Sequence, residues 1–375
     1  MATVRILGAG VSGLATALLL ARRGFEVEVR DRGTSRFAGG LQVLESGSRP
    51  EDALAELGRL GFGAPRCRVV PLREALLFDQ DLRRFPVASS APYAYMIRRG
   101  SGPDTLDTWL REAATEAGVR FAIGGEDERW QPDVVATGPP RADGAARELV
   151  FRTDHPDLTA VLFDPRLTPT GYSYLFVREG LGTIGAAQVR HRDRLRPNAR
   201  AAFDRLWGLF PMRVEPLGAE KGLFMSFAVP GHLRHGTRWY VGEAAGVQDF
   251  LFGLGNRLAL RSAALVTEAV AGGSWDRARF QREIVTPMRV SILGRALWEA
   301  AGPRTVTALC RAFAGGDFRR RLLLLQRPSP WRRALAALVM ARWRERPGKC
   351  PNPVATWSRR REHRQERLVG EGSPG

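Results

Sequence analysis

The chain has 375 residues, 44% of them hydrophobic, so it is long enough for two closely joined domains and too apolar for a disordered protein. Lys and Arg number 57 against 39 Asp and Glu, and the resulting net charge of +18 favours anionic partners. Cys67, Cys310 and Cys350 are odd in number and widely spaced, which argues against a disulfide framework and for a reducing compartment.

The chain opens with a pattern that predicts a dinucleotide-binding unit. A short β-branched run at 3–7 is followed by the glycine turn of residues 8–13, by an apolar helix to residue 21, and by a second strand at 26–30. That second strand ends in Asp31 and Arg32. Strand, glycine turn, helix, strand and terminal acid agree with one another, so the motif is more specific than glycines alone.

Each residue type in this opening unit has a physical reason. Gly8 permits the tight turn out of the strand, Gly10 lets a pyrophosphate approach the backbone, and Gly13 allows close packing of the helix on the sheet. Ser12 lies in the same turn and is a further candidate ligand. The helix N-terminus favours phosphate, and the Asp31 carboxylate could accept hydrogen bonds from both ribose hydroxyls.

The next hundred residues alternate between short strands and helices. Gly40 belongs to a glycine pair that either approaches the cofactor or forms an ordinary loop. Asp104 is the predicted N-cap of the helix at 105–116, which Gly118 closes. The remaining predicted elements are a helix at 51–60, a hairpin of 74–79 with 82–87, and strands at 93–99, 119–123 and 133–138.

After residue 150 the pattern changes to longer antiparallel strands and then to helices. Strands are predicted at 158–164, 171–177, 181–189, 222–229 and 238–241, and helices at 198–210 and 257–270. A second glycine turn, with Gly253 and Gly255, precedes the last of these helices. Everything beyond residue 275 is predicted helical, except for a polar tail.

These elements predict an α/β fold: a Rossmann-type FAD/NAD(P)-binding domain, an inserted antiparallel-sheet substrate domain and a helical C-terminal region. The binding domain is expected to be discontinuous, from residues 1–62, 100–140 and 236–275. The substrate domain would take 63–99 and 141–235, the helical region 276–350, and a disordered tail 351–375.

Tyr172, Tyr174 and Phe176 alternate along one predicted strand and therefore share a face. That face could line an apolar pocket or fill a core between sheets, and both interpretations stay open. His232 and His235 have no evident carboxylate partner, so a loop is favoured and no metal site is expected. No residue can be assigned a catalytic role from the sequence.

The C-terminal stretch 330–346 is basic, with a tryptophan near each end. It could be an interfacial helix that places the protein on an anionic membrane, or a helix packed on the core. The chain shows no signal peptide and no apolar run of the ~18 residues needed to span a bilayer. We therefore expect a cytoplasmic protein, peripheral on the inner membrane face if this helix binds lipid. Nucleic acid is not expected as a partner, because no recognition-helix or zinc pattern accompanies the charge.

The chain resembles the geranylgeranyl reductases, within the para-hydroxybenzoate-hydroxylase-like flavoproteins. The resemblance covers about residues 3–270. It rests on the motif at 4–13 with the acid–base pair at 31–32, on the strand at 93–99, on the aromatic strand at 171–176, and on the blocks at 241–246 and 253–255.

This resemblance implies FAD as cofactor, with NAD(P)H as a candidate electron donor. Asp31 would bind the adenosine ribose and Arg32 would flank the adenine. Arg99, or its neighbour Arg98, would lie near the pyrophosphate or ribityl chain. The block of Gly242 and Glu243 would contact the ribityl and phosphate region, and the turn of Gly253 and Gly255 would stabilise negative charge at the edge of the reduced flavin. Tyr172, Tyr174 and Phe176 would line the substrate pocket.

The sequence also departs from the family pattern. Glu243 stands where the family has Asp, Thr137 precedes Gly138 where the superfamily has Asp, and Val177-Arg178 replaces a Pro-Lys pair after the aromatic strand. The leading expectation is reduction of carbon–carbon double bonds in a long apolar substrate, for which an isoprenoid is one candidate. The alternatives are a flavin monooxygenase or epoxidase, and an isomerase of the lycopene-cyclase kind that uses reduced FAD.

Overall fold

The computed structural model describes residues 2–33, 40–46, 50–140, 143–189, 191–300 and 302–344. The predicted tail at 351–375 lies outside these residues. Seventeen strands are described, with the following bounds: β1 Thr3–Leu7, β2 Glu26–Asp31, β3 Leu41–Glu45, β4 Val69–Leu72, β5 Glu74–Phe78, β6 Arg84–Ala88, β7 Ala94–Arg98, β8 Arg120–Ile123, β9 Val134–Val135, β10 Gly144–Arg152, β11 Leu158–Leu162, β12 Tyr172–Arg178, β13 Leu181–Gln188, β14 Glu215–Pro216, β15 Lys221–Met225, β16 Arg234–His235 and β17 Arg238–Tyr240.

The described helices are as follows: α1 Val11–Ala21, α2 Ala53–Arg59, α3 Leu106–Glu116, α4 Leu195–Leu209, α5 Asn256–Gly272, α6 Arg277–Phe280, α7 Thr286–Ala300, α8 Pro303–Ala314, α9 Phe318–Gln326 and α10 Pro330–Arg344. Short 3₁₀ turns occupy Arg192–Arg194 and Gly242–Ala245, and a π turn at Gln281–Val285 joins α6 to α7.

The first sheet contains the opening unit and has the strand order β16-β17-β9-β1-β2-β8. Its strands β17, β9, β1, β2 and β8 run parallel, as crossover connections through helices require. Helix α1 packs against both α3 and α5. Because neighbours surround it, α1 is apolar on all sides and is buried from Val11 to Leu20.

The second sheet has eight strands, in the order β14-β10-β13-β12-β11-β5-β6, with β15 also paired to β10. All of its pairs are antiparallel except β11 with β5, so the predicted antiparallel sheet contains one parallel pair. Glu179 and Gly180 join β12 to β13 with φ of 51° and 75°. Positive φ at both central residues is the geometry of a type I′ hairpin turn.

The two faces of this sheet have different neighbours, since side chains alternate along each strand. Leu175 and Val177 of β12 pack under α4, against Phe203. Tyr174 and Phe176 of the same strand face a second core. That core is completed by the small sheet β3-β7-β4 and by α8 and α9.

The predicted fold class is confirmed, including the helical C-terminal region as far as residue 344. Two local expectations are wrong. The N-cap of α3 is Thr105, whose hydroxyl accepts a hydrogen bond from the Thr108 amide, whereas Asp104 has a φ of 56° outside the helix. Strand β10 was not predicted, although it pairs with β13 on one side and with β14 and β15 on the other.

Candidate functional site

One continuous cleft of about 1890 Å³ runs between the two large sheets. Its walls include the glycine turn of residues 8–12, the end of β2, the small sheet, the cleft face of β12 and the turn before α5. The two glycine turns, far apart in the chain, therefore open into the same space. A cleft of this kind at the carboxyl ends of parallel strands is where doubly wound folds bind ligands.

The glycines of the turn before α1 are present for different physical reasons. A methyl group on Gly8 would lie 2.5 Å from the Ala136 carbonyl oxygen, and one on Gly13 would lie 2.0 Å from the Gly8 carbonyl oxygen. By contrast, no described atom lies within 4 Å of a methyl group on Gly10, and the φ of −79° there suits any residue. Neither backbone geometry nor described packing requires glycine at position 10, so the open space in front of it is room for a ligand.

Asp31 closes the turn from the side of β2. Its carboxylate accepts hydrogen bonds of 2.9 Å from the amides of Ala9 and Gly33. These bonds hold the acid at the tip of β2, where it lines the cleft beside Arg32. Each carboxylate oxygen keeps capacity for a further donor, such as a ribose hydroxyl.

Arg99 connects the small sheet to two helices. Its guanidinium donates to both Asp107 oxygens, at 2.7 and 3.0 Å, and to the Asn256 amide oxygen at 2.7 Å. The Asn256 amide nitrogen in turn donates to the Val43 carbonyl oxygen. Arg99 lines the cleft as expected, and its hydrogen bond to Asn256 holds the first turn of α5.

The second turn is held by its own side chains. Gln248 donates to the Gly253 carbonyl oxygen at 2.7 Å, and the Gly253 amide donates to the Asp249 carbonyl oxygen. Tyr172 donates through its hydroxyl to the Phe252 carbonyl oxygen at 2.6 Å, which ties the aromatic strand to this turn. Gly255 and Asn256, at the N-terminus of α5, line the cleft, and no side chain caps the amides of this helix end.

Three polar atoms in the cleft lining have no hydrogen-bond partner among the described residues. They are Oε2 of Glu45, Oγ1 of Thr137 and Oε1 of Gln248. Buried polar atoms are rarely left unpaired, since each costs about 1–3 kcal/mol. Together with the space at Gly10 and two helix N-termini, they fit an extended polar ligand with phosphates.

The aromatic strand forms the floor of the other half of the cleft. The ring centroids of Tyr172 and Tyr174 are 6.0 Å apart, and those of Tyr174 and Phe176 are stacked at 4.8 Å. All three rings line the cleft and also pack in the second core, so the two interpretations of this strand are compatible. Leu77, Phe163, Phe313, Phe318 and Leu322 extend the apolar wall.

Three acids along the cleft have raised pKa values. Burial raises the pKa of Glu45 to about 7 and that of Asp249 to about 6. Burial also raises the pKa of Glu148, against the opposing hydrogen bond from Tyr174 and the charge of Arg99. Sequence reasoning missed all three acids. Glu45 follows a run of apolar residues, but no pattern singled it out.

The structure brings most sequence-predicted residues to the cleft. Gly8, Gly10, Ser12, Asp31, Arg32, Arg99, Glu243, Gly253, Gly255, Tyr172, Tyr174 and Phe176 line it. Gly13, Gly40 and Gly242 lie just outside. A methyl group on Gly40 would lie 3.0 Å from Val150, and one on Gly242 would lie 2.5 Å from the Ser12 hydroxyl. Gly242 has a φ of 59°, so it is needed for a tight turn against α1.

Far from the cleft, His232 packs against two indole rings. Its ring centroid lies 5.9 Å from that of Trp239 and 4.5 Å from that of Trp275. In the described part of the chain, no three His, Cys, Asp or Glu side chains come together as a metal-binding group.

Comparison with known proteins bears on the fold. Residues 6–41 match the NAD(P)-binding Rossmann-like domain. A search of curated proteins found no match to the sequence.

Three solved structures are similar over nearly the whole chain. A geranylgeranyl bacteriochlorophyll reductase-like protein from Thermoplasma acidophilum aligns with 92% of this chain and 99% of its own, at a TM-score of 0.65 and 15% identity. The p-nitrophenol 4-monooxygenase of Pseudomonas putida aligns with 88% of this chain and 100% of its own, at a TM-score of 0.63 and 15% identity. A flavin-dependent brominase aligns with 91% of this chain and 98% of its own, at a TM-score of 0.59 and 14% identity. The resemblance predicted from the sequence is confirmed at the level of the fold.

Proposed function

We propose that the chain is an FAD-dependent oxidoreductase that holds the dinucleotide extended along the cleft. The observation that carries this proposal is Gly10, a glycine that neither its backbone angles nor any described neighbour explains, at the N-terminus of α1. The uncapped amides of α1 and α5 and the unpartnered Thr137 and Gln248 atoms supply contacts that a dinucleotide needs. The similar structures include a reductase-like protein, a monooxygenase and a flavin-dependent brominase, which agrees with flavin chemistry.

The residues that would hold the cofactor follow from the cleft wall. Gly8, Gly10 and Ser12 would hold the pyrophosphate, Asp31 the ribose, and Arg32 the adenine side. Glu243 and the turn of Gly253 and Gly255 would contact the flavin half. When bound, flavin accepts and donates a hydride, and the positive end of α5 favours its reduced anionic form.

For the reaction, we propose hydride transfer to a carbon–carbon double bond of a long apolar substrate, with an isoprenoid as the candidate and NAD(P)H as the electron donor. The apolar arm of the cleft, floored by Tyr172, Tyr174 and Phe176, supports a substrate of this class. A monooxygenase would use the same fold, and the similarity to the p-nitrophenol 4-monooxygenase keeps it as the second candidate. Oxygen-dependent formation of a hydroxylated product would select the monooxygenase.

The cofactor can be tested with Gly10→Thr. Threonine ranks with glycine as an N-cap, so α1 should form, but its branched side chain would fill the space where phosphate would lie. We expect wild-type protein to bind added FAD with a visible flavin spectrum and a raised melting temperature. Gly10→Thr should lose both effects while melting normally without FAD.

A matched control is Gly58→Thr, because Gly58 is exposed on α2 and a methyl group there also meets no described atom within 4 Å. This variant should bind FAD like the wild type. If Gly10→Thr binds FAD equally well, or if the wild type does not bind it at all, the proposed cofactor is wrong.

We also propose that α10 rests on an anionic lipid surface close to the apolar substrate. Trp331, Leu335 and Leu338 are 62%, 45% and 67% exposed and fall on one side of the helix, at spacings of four and three. Ala336 and Met340 are buried on the opposite side. Among the described residues, no helix has both the length and the apolar character to cross a bilayer. Contact with lipid would therefore be along the helix.

A further inference from the structure

We propose that Glu148 is the proton donor to the substrate in the cleft and that Tyr174 and Gly185 are the residues that position it. This inference rests on the proposed function, because it supplies the proton that accompanies a transferred hydride. Glu148 lies on β10, the strand that the sequence analysis did not predict, and it shares the cleft lining with the aromatic floor.

Three neighbouring strands build the pair. In the register of the sheet, Gly185 of β13 lies between Tyr174 of β12 and Glu148 of β10. The Tyr174 ring lies directly over Gly185, where a methyl group would approach the ring to 2.2 Å. Its hydroxyl therefore crosses the middle strand and donates a hydrogen bond to Oε1 of Glu148. Glycine at 185 is required by this crossing, because any side chain there would displace the ring.

The surroundings of Glu148 keep its proton available. Burial disfavours the carboxylate and raises the pKa of Glu148, while the nearby Arg99 guanidinium and the Tyr174 hydroxyl act in the opposite direction. Lys221 of β15 is its other cross-strand neighbour. Burial and the adjacent carboxyl group raise the pKa of Tyr174 well above its usual range, so this phenol stays protonated. Of the two groups, the carboxyl is the one that can release a proton.

The pair also lies on the route from the second glycine turn to the apolar arm. Tyr172, whose hydroxyl contacts the Phe252 carbonyl beside that turn, is the next ring along the floor from Tyr174. The other two raised acids are placed differently. Asp249 accepts the Phe252 amide and so shapes the turn itself, and Glu45 faces Arg257 and Arg261.

The chemistry balances with the proposed reductant. Saturation of a double bond needs a hydride, a hydrogen that brings two electrons, at the first carbon. It also needs a proton at the second carbon. The hydride would come from bound flavin that NAD(P)H has reduced. The electron pair of the broken π bond then takes the proton of the Glu148 carboxyl, forming the second C–H bond and leaving a carboxylate. Solvent reprotonates this carboxylate before the next turnover.

The test combines a titration without cofactor and a turnover assay. In FAD-free protein labelled with ¹³C-glutamate, infrared difference spectra against Glu148→Gln isolate the Glu148 carboxyl as pH is varied. We expect it to lose its proton at a higher pH than an exposed glutamate does. Tyr174→Phe removes a hydrogen bond that favours the carboxylate, so the pKa of Glu148 should rise further. A Glu148 that titrates like an exposed glutamate, or one whose titration ignores Tyr174→Phe, would overturn the proposal.

The turnover assay uses FAD-loaded protein, NADPH and geranylgeraniol as probe. Activity should fall as pH rises through the Glu148 pKa, and Tyr174→Phe should move this fall to higher pH. Glu148→Gln should lose about 10²–10⁴-fold in rate and the pH-dependent fall with it. Tyr95→Phe is the matched control, since Tyr95 also donates to a carboxylate, that of Asp52, but outside the cleft lining. It should keep the wild-type rate and pH profile.

The outcomes separate the two proposals. A wild-type enzyme that binds FAD but leaves geranylgeraniol unchanged counts against the proposed reaction, and the infrared titration then decides the state of Glu148 by itself. If turnover occurs and Glu148→Gln keeps the wild-type rate and profile, Glu148 is not the donor. If the decrease in activity at high pH instead disappears in Glu45→Gln or Asp249→Asn and persists in Glu148→Gln, that result assigns the proton donor to Glu45 or Asp249.

Discussion

Gly10 and Gly13 are three residues apart, yet the structure gives them opposite roles. A side chain on Gly13 would collide with the Gly8 backbone, so this glycine sets how closely α1 approaches the sheet. A side chain on Gly10 would project into the cleft. The motif therefore combines one residue that the fold requires with one that only a ligand requires.

Gly13→Ala is accordingly expected to destabilise the FAD-free protein by about 1–3 kcal/mol, because backbone atoms at 2.0 Å must move. Chemical denaturation of Gly13→Ala and Gly10→Thr, each against the wild type, would measure the difference. Equal stability of the wild type and Gly13→Ala would contradict the close approach described here.

At the scale of elements, α2 and α5 are joined by a buried ion cluster. Both oxygens of Glu56 are bonded by Arg261, at 2.5 and 2.8 Å, and Arg257 adds a further bond. Burial alone would raise the pKa of Glu56, but the two guanidinium groups lower it to about 2. Arg257 also donates to the Glu45 carbonyl oxygen of β3, so the cluster fixes α5 to the small sheet beside the cleft.

This cluster predicts a pH dependence of stability. Since the pKa of Glu56 is lower in the folded state than its ordinary value of 4.5, folding is favoured by about 3 kcal/mol above pH 4.5, and this gain is lost as pH falls towards 2. Glu56→Gln would leave two buried arginines partly unpaired and should cost about 3–5 kcal/mol at neutral pH. The difference in unfolding free energy between the wild type and the variant should become smaller as the pH falls. Urea titrations at several pH values would measure it.

Glu116→Gln is the control for this prediction, because Glu116 pairs with Arg66 where both side chains are more than half exposed. Solvent screens such a pair, so its removal should leave stability nearly unchanged. A Glu56→Gln protein as stable as Glu116→Gln at pH 7 would show that the buried cluster contributes nothing.

Elements differed in how well the sequence predicted them. Strands β1 and β12 were predicted because β-branched or aromatic residues alternate along them. Strand β10 was missed because Gly144, Ala145 and Ala146 are small and Arg147 and Glu148 are charged, which hides the alternation. The side chain of Glu148 instead finds its hydrogen-bond donor two strands away, at Tyr174. Local patterns do not record such a contact, so the proposed proton donor could not be predicted either.

For the molecule as a whole, the exposed apolar stripe of Trp331, Leu335 and Leu338 on α10 and the net charge of +18 both favour binding to an anionic membrane. We expect the protein to float with vesicles containing phosphatidylglycerol and to be released by salt, because screening weakens the electrostatic part. The double variant Trp331→Ser with Leu338→Ser should bind at least tenfold more weakly, since burial of each side chain contributes about 1.5–3 kcal/mol.

Leu217→Ser serves as the comparison, because Leu217 is 45% exposed but lies beside β14, away from α10. It should bind vesicles like the wild type. If the double variant and the wild type float equally, α10 does not contact lipid. A loss of self-association in the double variant instead would assign the stripe to a contact between copies of the chain.

The position of α5 in the sequence has a consequence for biosynthesis. Helix α1 is complete at Ala21, but α5, one of the two helices that pack against it, is not complete until Gly272 has been translated. At about 5–20 residues per second, roughly 10–50 s separate the two events. During this interval the almost wholly apolar α1 lacks one of its two helical neighbours. Capture by a chaperone is expected at that stage, and loading of a nucleotide must await translation of α5.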